Sequence, residues 1–253
     1  MRLIPASLLF YSLGYAEVLH PGSGVIAHIA DGGGMQTEVT ITNLDDKDNC
    51  FSVAFLDDNG NPVSLVTSAG FVNRLDGALA AHASRSVRTT GAANTVTQGW
   101  VSLVASGNVG ASATFRVSAP PWKGSEAVVP ADTWRNNRFS LAFDHTDSGV
   151  IGLAMVNPLP DPIAVTLLFR GEDGSVILTD TVNMKPRAHS AIVTTSSYPA
   201  TAGKRGTIEI STTGLYMSVV AVRFGPSAIS AVVPLVSNQW AAFDNTGWGC
   251  WDY

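Results

Sequence analysis

The chain has little charge and almost no cysteine. Of its 253 residues only 14% are Asp, Glu, Lys or Arg, and two are cysteine. Globular chains usually carry about a quarter charged residues. So low a fraction, with ordinary apolar content, excludes a disordered acidic or basic tail. Two cysteines cannot knit a disulfide-dense scaffold. The formal charge of −5 gives no attraction to phosphate backbones or anionic membranes, so nucleic acid is not an expected partner. Sustained helical spacing is also missing. The window from Leu75 to Ala83 comes closest, and Gly77 interrupts it. No segment reaches the roughly 20 apolar residues that a bilayer-spanning helix requires.

What is present is a chain 45% hydrophobic, with 24 glycines and 13 prolines, rich in Thr, Ser and Val. That composition predicts compact β structure, and the length allows one large domain or two ordinary ones. The first residues read as an address. Met1-Arg2 precedes an apolar stretch from Leu3 to Leu13, followed by Gly14-Tyr15-Ala16. A positive start, a short apolar core and small residues before the cut predict a secretory signal peptide over residues 1–16. The mature chain is expected to have no transmembrane segment.

The remainder contains itself twice. Val39-Thr40-Ile41-Thr42-Asn43-Leu44 lies over Leu153-Ala154-Met155-Val156-Asn157-Pro158, and the turn Asp57-Asp58-Asn59-Gly60 lies over Gly171-Glu172-Asp173-Gly174, both at an offset of 114. The offset shortens to 107 where Gly99-Trp100-Val101-Ser102-Leu103 meets Gly206-Thr207-Ile208-Glu209-Ile210 and where Arg116 meets Arg223, then to 104 where Val129-Pro130 meets Val233-Pro234. Apolar residues alternate with period two in both copies. The inward set is expected to be Val39, Ile41, Val53, Phe55, Val101, Leu103, Phe115 and Val117, matched by Leu153, Met155, Leu167, Phe169, Ile208, Ile210, Val222 and Phe224. Units of about 100 residues with some seven short strands have the rhythm of an immunoglobulin-like β-sandwich. The expected class is all-β: one sandwich over residues 22–131, a linker over 132–137, a second sandwich over 138–236, and an aromatic tail over 237–253.

Ile29-Ala30-Asp31-Gly32-Gly33-Gly34 followed by Thr37-Glu38-Val39-Thr40-Ile41-Thr42-Asn43, with Phe143-Asp144-His145-Thr146 and Ala202-Gly203-Lys204-Arg205-Gly206-Thr207-Ile208-Glu209 in the second copy, resembles a secreted bacterial tandem repeat. That family occurs in cell-envelope and extracellular proteins, and its function is uncharacterised. The resemblance covers nearly all of the mature chain. It implies extracellular β-sandwich modules and carries over no catalytic residue.

The candidate chemistry is sparse. Asp57-Asp58-Asn59-Gly60-Asn61 places oxygen ligands as a calcium loop might, but its glycine is fourth rather than sixth and no distal Glu follows, so it reads as a hairpin turn. Asp31-Gly32-Gly33-Gly34 lacks the lysine and helix of a phosphate loop and reads as a flexible connection. Asp45-Asp46-Lys47-Asp48-Asn49 reads as a solvated turn. The five histidines, at 20, 28, 82, 145 and 189, form no zinc spacing. Asp144-His145-Thr146-Asp147 has no histidine counterpart in copy one and no nucleophile elbow elsewhere to serve. Neither an enzyme nor a cofactor or metal is therefore expected.

Two features stand outside the repeat. Cys50 and Cys250 are the disulfide candidates: joined, they would tie the tail to the first sandwich, and if too distant they would leave Cys250 for an intermolecular bond. The tail carries Trp240, Trp248 and Trp251 with Phe243 and Tyr253. Trp240, Trp248, Trp251 and Tyr253 are the candidate binding residues, able to stack on sugars or anchor a partner, or else to pack over the seam between the halves. The sequence thus predicts a non-enzymatic extracellular or cell-surface structural, adhesive or assembly module. Its partner would be itself or another cell-surface protein. The alternative is a carbohydrate-binding protein that uses the aromatic tail on a polysaccharide.

Overall fold

A computed structural model describes residues 23–133 and 136–236, so the expected signal peptide over residues 1–16 and the aromatic tail over 237–253 lie outside the described residues. The first half runs β1 (Gly24–Asp31), β2 (Met35–Asn43), β3 (Asn49–Leu56), a small hairpin β4 (Leu65–Thr67) and β5 (Gly70–Val72), β6 (Arg74–Leu79), β7 (Ser84–Arg88), β8 (Thr97–Ala105), β9 (Val109–Val117) and β10 (Glu126–Pro130). The second runs β11 (Arg138–Asp144), β12 (Val150–Val156), β13 (Ile163–Gly171), β14 (Val176–Met184), β15 (His189–Val193), β16 (Arg205–Thr212), β17 (Ser218–Phe224), β18 (Ile229–Val232) and β19 (Leu235–Val236). One α-helical turn, Thr194–Ser197, and a 3-10 turn, Pro199–Thr201, follow β15. The window from Leu75 to Ala83 is strand β6 and the turn after it. Among the described residues no helix is long and apolar enough to cross a membrane.

The first half forms sheets ordered β1-β8-β3-β6 and β10-β9-β2-β7; the second forms β14-β13-β16-β11-β19 and β15-β12-β17-β18. With β19 and the β4–β5 hairpin set aside, the two halves have the same strand order. The arrangement is sandwich-like and all-β. In an immunoglobulin domain the first two strands share a sheet, whereas β1 and β2 belong to different sheets here.

Alternation fixes which side chains turn inward. Val39, Ile41, Val53, Phe55, Val101, Leu103, Phe115 and Val117 fill the first core, and Leu153, Met155, Leu167, Phe169, Ile208 and Ile210 fill the second. The register is kept by close backbone approach at one matched position. A Cβ on Gly99 would stand 1.9 Å from the Leu56 carbonyl oxygen, and one on Gly206 1.9 Å from that of Arg170. Only glycine fits either crossing.

The last two expected inward residues, Val222 and Phe224, do not face their own core. Across β2–β9 Val39 pairs with Ala113, and across β12–β17 Leu153 pairs with Ala221. The structural counterpart of Arg116 is therefore Phe224, not Arg223. A slip of one residue exchanges the two faces of a strand. Val219 and Ala221 face the second core, while Val220, Val222 and Phe224 pack against the first half.

This makes the sheet of β12 and β17 apolar on both sides, which explains the near-continuous runs Val150–Val156 and Ser218–Phe224. Ala154, Val156, Val220, Val222 and Ile229 join the buried cluster of the first half. Each well-buried Val or Ile is worth about 1.5–3 kcal/mol, more than any exposed polar contact between the halves. The contacts are made chiefly with β1 and β10, the edge strands of the first half opposite β6 and β7.

The glycine loop is closed rather than flexible. Gly32 and Met35 exchange backbone hydrogen bonds at 3.0 and 2.9 Å, and the Gly33 N–H donates to the Ala93 carbonyl at 2.8 Å. All three glycines hold positive φ, at 95°, 58° and 85°.

Candidate functional site

Among the described residues, a hydrogen-bonded chain of ionisable groups crosses the seam between the halves, covered at His189 and partly open to solvent at Asp58. It begins in the turn after β3. The Asp57 carboxylate accepts the N–H groups of Asn59 and Asn61, each at 2.8 Å, and Gly60 takes φ 78°. The turn therefore forms as its sequence predicts, and it presents Asp58 to the second half. The Asp58 backbone carbonyl accepts the His189 N–H at 3.0 Å. Its carboxylate accepts His189 Nδ1–H at 2.7 Å and Gln98 Nε2–H at 3.1 Å. His189, at the start of β15, has a fully covered side chain. Its Nε2 lies 3.2 Å from Nδ1 of His28 on β1, and the two rings stack 5.3 Å apart.

The proton positions follow from this geometry. A carboxylate only accepts, so neutral His189 carries its proton on Nδ1 and its Nε2 accepts from His28 Nδ1–H. Burial holds both imidazoles neutral. It lowers His28 to about 3, helped by His189 and opposed by Asp58. It lowers His189 as well, against the opposing hydrogen bond to Asp58.

His28 also lines a cavity of about 200 Å³ between the halves. Its walls are Met35 and Phe115 from the first half and Ala191, Val222, Phe224 and Ile229 from the second; Gln98 is the other polar side chain in the lining. Next to it, the Trp122 indole N–H donates to the Gly225 carbonyl at 2.7 Å, and its ring meets Phe224 edge-on at 5.0 Å. An Asp–His–His chain can hold and orient a proton. The residues lining this cavity include no hydroxyl or thiol nucleophile. Among the described residues, no group of three His, Cys, Asp or Glu is placed to hold a metal ion.

Of the residues singled out in the sequence, Trp240, Trp248, Trp251, Tyr253 and Cys250 lie outside the described residues. Cys50 is on β3 and is disulfide-bonded. His145 is enclosed in its own half: Nδ1 lies 3.1 Å from the Thr201 carbonyl oxygen and Nε2 2.8 Å from Thr194 Oγ1, which pins the helical turn after β15. Asp45 helps to close its turn, accepting Asn49 Nδ2–H at 2.7 Å and the Asn108 N–H at 3.0 Å. The seam triad was not singled out in the sequence. Strand register matches His189 with Ser84 in the first half, and His28 lies at an irregularity of β1, between Ile26 and Ile29, that β11 lacks.

No family model matches this chain, and no curated protein matches it. Among solved structures, the crystal structure of a putative beta-galactosidase from Bacteroides fragilis is similar at 9% identity and a TM-score of 0.17, over 85% of this chain and 32% of that one. The chain thus spans about a third of that protein's length. So slight a likeness assigns neither fold nor activity.

Proposed function

We propose that this chain is a non-enzymatic structural, adhesive or assembly module of the extracellular space or cell surface. In this proposal its two sandwiches, immunoglobulin-like in architecture, arose by internal duplication. Membership of the secreted tandem-repeat family of cell-envelope proteins belongs to the same proposal. The duplication is supported by the common strand order and by the matched close approaches at Gly99 and Gly206. The functional reading rests on one observation: the sheet of β12 and β17, apolar on both faces, fastens the two halves into one body. A scaffold under load needs that rigidity, and strands such as β6, β7 and β14 at the sheet margins offer backbone to a partner strand. The carbohydrate-binding alternative depends on tail rings outside the described residues.

The test is sedimentation velocity of the mature chain over a wide concentration range, together with its retention on the envelope of the cells that produce it. Self-association or envelope retention is the expected result. A monomer at every concentration that washes freely from those cells would overturn the proposal.

A further inference from the structure

Asp58 sets the direction of the hydrogen bonds around the seam cavity. Because its carboxylate only accepts, Gln98 turns Nε2–H toward it and His189 turns Nδ1–H toward it. His28 then donates from Nδ1 to His189 Nε2. The polar atoms of the two lining side chains not used in this chain, His28 Nε2 and Gln98 Oε1, are both acceptors. Apart from the weakly accepting Met35 thioether, the rest of the lining is hydrocarbon or backbone.

From this polarity we infer that the cavity is a binding site for a small, uncharged, mostly apolar molecule bearing one hydrogen-bond donor, with a phenol as its simplest form. The size fits, since an apolar cavity of roughly 150 Å³ admits a benzene ring and this one is about 200 Å³. An anion would meet two acceptors backed by the Asp58 carboxylate, and a cation would surrender its water to walls of Phe115, Val222 and Ile229. A guest with no donor would leave both acceptors dry, which costs binding. The two halves build the cavity together, so a guest would bridge them. This goes beyond the structural role proposed above and does not depend on it.

The experiment is calorimetric titration of the full chain with phenol and with toluene, which are alike in size and differ in the donor. Phenol is expected to bind about tenfold more tightly, the factor that one neutral hydrogen bond supplies. His28→Phe should erase that preference and keep toluene binding. Ala191→Phe, which fills the cavity, should abolish both. Circular dichroism checks the fold of each variant. If His28→Phe does not fold, Gln98→Met carries the same readout, a reduced preference for phenol. Equal affinity for the two probes, no binding of either, or phenol binding that survives Ala191→Phe overturns the inference.

Discussion

Asn43 and Asn157 stand 114 positions apart and do the same work. The Asn43 side-chain amide donates to the carbonyls of Lys47, Leu79 and Ala80, and its Oδ1 accepts the Asp45 N–H. The Asn157 amide donates to the carbonyls of Asp161 and Lys185, and its Oδ1 accepts the Leu159 N–H. Each asparagine ties the end of its strand to two neighbouring loops. Replacing either by Ala orphans several backbone groups at a buried site, so each variant should lose about 1–3 kcal/mol. Denaturant melts followed by circular dichroism check this. The double variant should lose the sum, because the sites belong to different halves.

Gly99→Ala and Gly206→Ala should each prevent accumulation of folded protein. The added methyl would stand 1.9 Å from a carbonyl oxygen of the neighbouring strand, and backbone on both sides cannot yield without breaking the ladder. Soluble yield and the dispersion of a proton–nitrogen NMR spectrum are the measurements. Gly174→Ala, whose added methyl would meet no atom within 4 Å, is the control; its φ of 79° costs only local strain of about 1–2 kcal/mol.

Acid should loosen the seam. The folded chain holds His28 at about 3 and lowers His189 as well, both from 6.5. Below pH about 6.5 the unfolded chain therefore binds more protons than the folded one. The contribution of the pair is whole above that pH and is lost as the pH falls toward about 3. Melting temperatures measured at pH 7, 5.5 and 4 should decline in that order. His28→Phe should flatten the decline, and an identical slope in the variant would contradict this assignment.

Cys50 is disulfide-bonded, and Cys250 is the other cysteine of the chain. We expect peptide mapping under non-reducing conditions to find the two joined within one chain. In the loop-entropy view so long a closed loop is worth about 5 kcal/mol, so Cys50→Ser should lower the denaturation midpoint well beyond experimental error. A cross-linked dimer on a non-reducing gel would instead assign the bond between chains.

Much of the architecture could be read from period-two alternation, because burial on one face writes that pattern directly. Val39, Ile41, Leu153 and Met155 point inward for that reason, and Gly60 and Gly174 make the turns their sequences call for. The reading slipped where a second surface is buried. In β17 both faces are apolar, so alternation no longer marks which side is the core, and pairing Arg116 with Arg223 placed Val222 and Phe224 on the wrong face. The seam was hidden for a related cause. Asp58, His189 and His28 lie 131 and 161 positions apart along the chain, and no local spacing links them before the halves dock. Asn43 and Asn157 were visible as a matched pair, yet their role depends on loops that only the folded chain brings near.

A sheet with hydrocarbon on each side has no face to offer water. Severed between Asp132 and Arg138, the carboxyl-terminal half would display Ala154, Val220, Val222 and Ile229 bare, and would clump when made alone. The pair is thus the smallest piece that can be inherited, moved between genes or grafted as a cassette, and neither member can be traded singly.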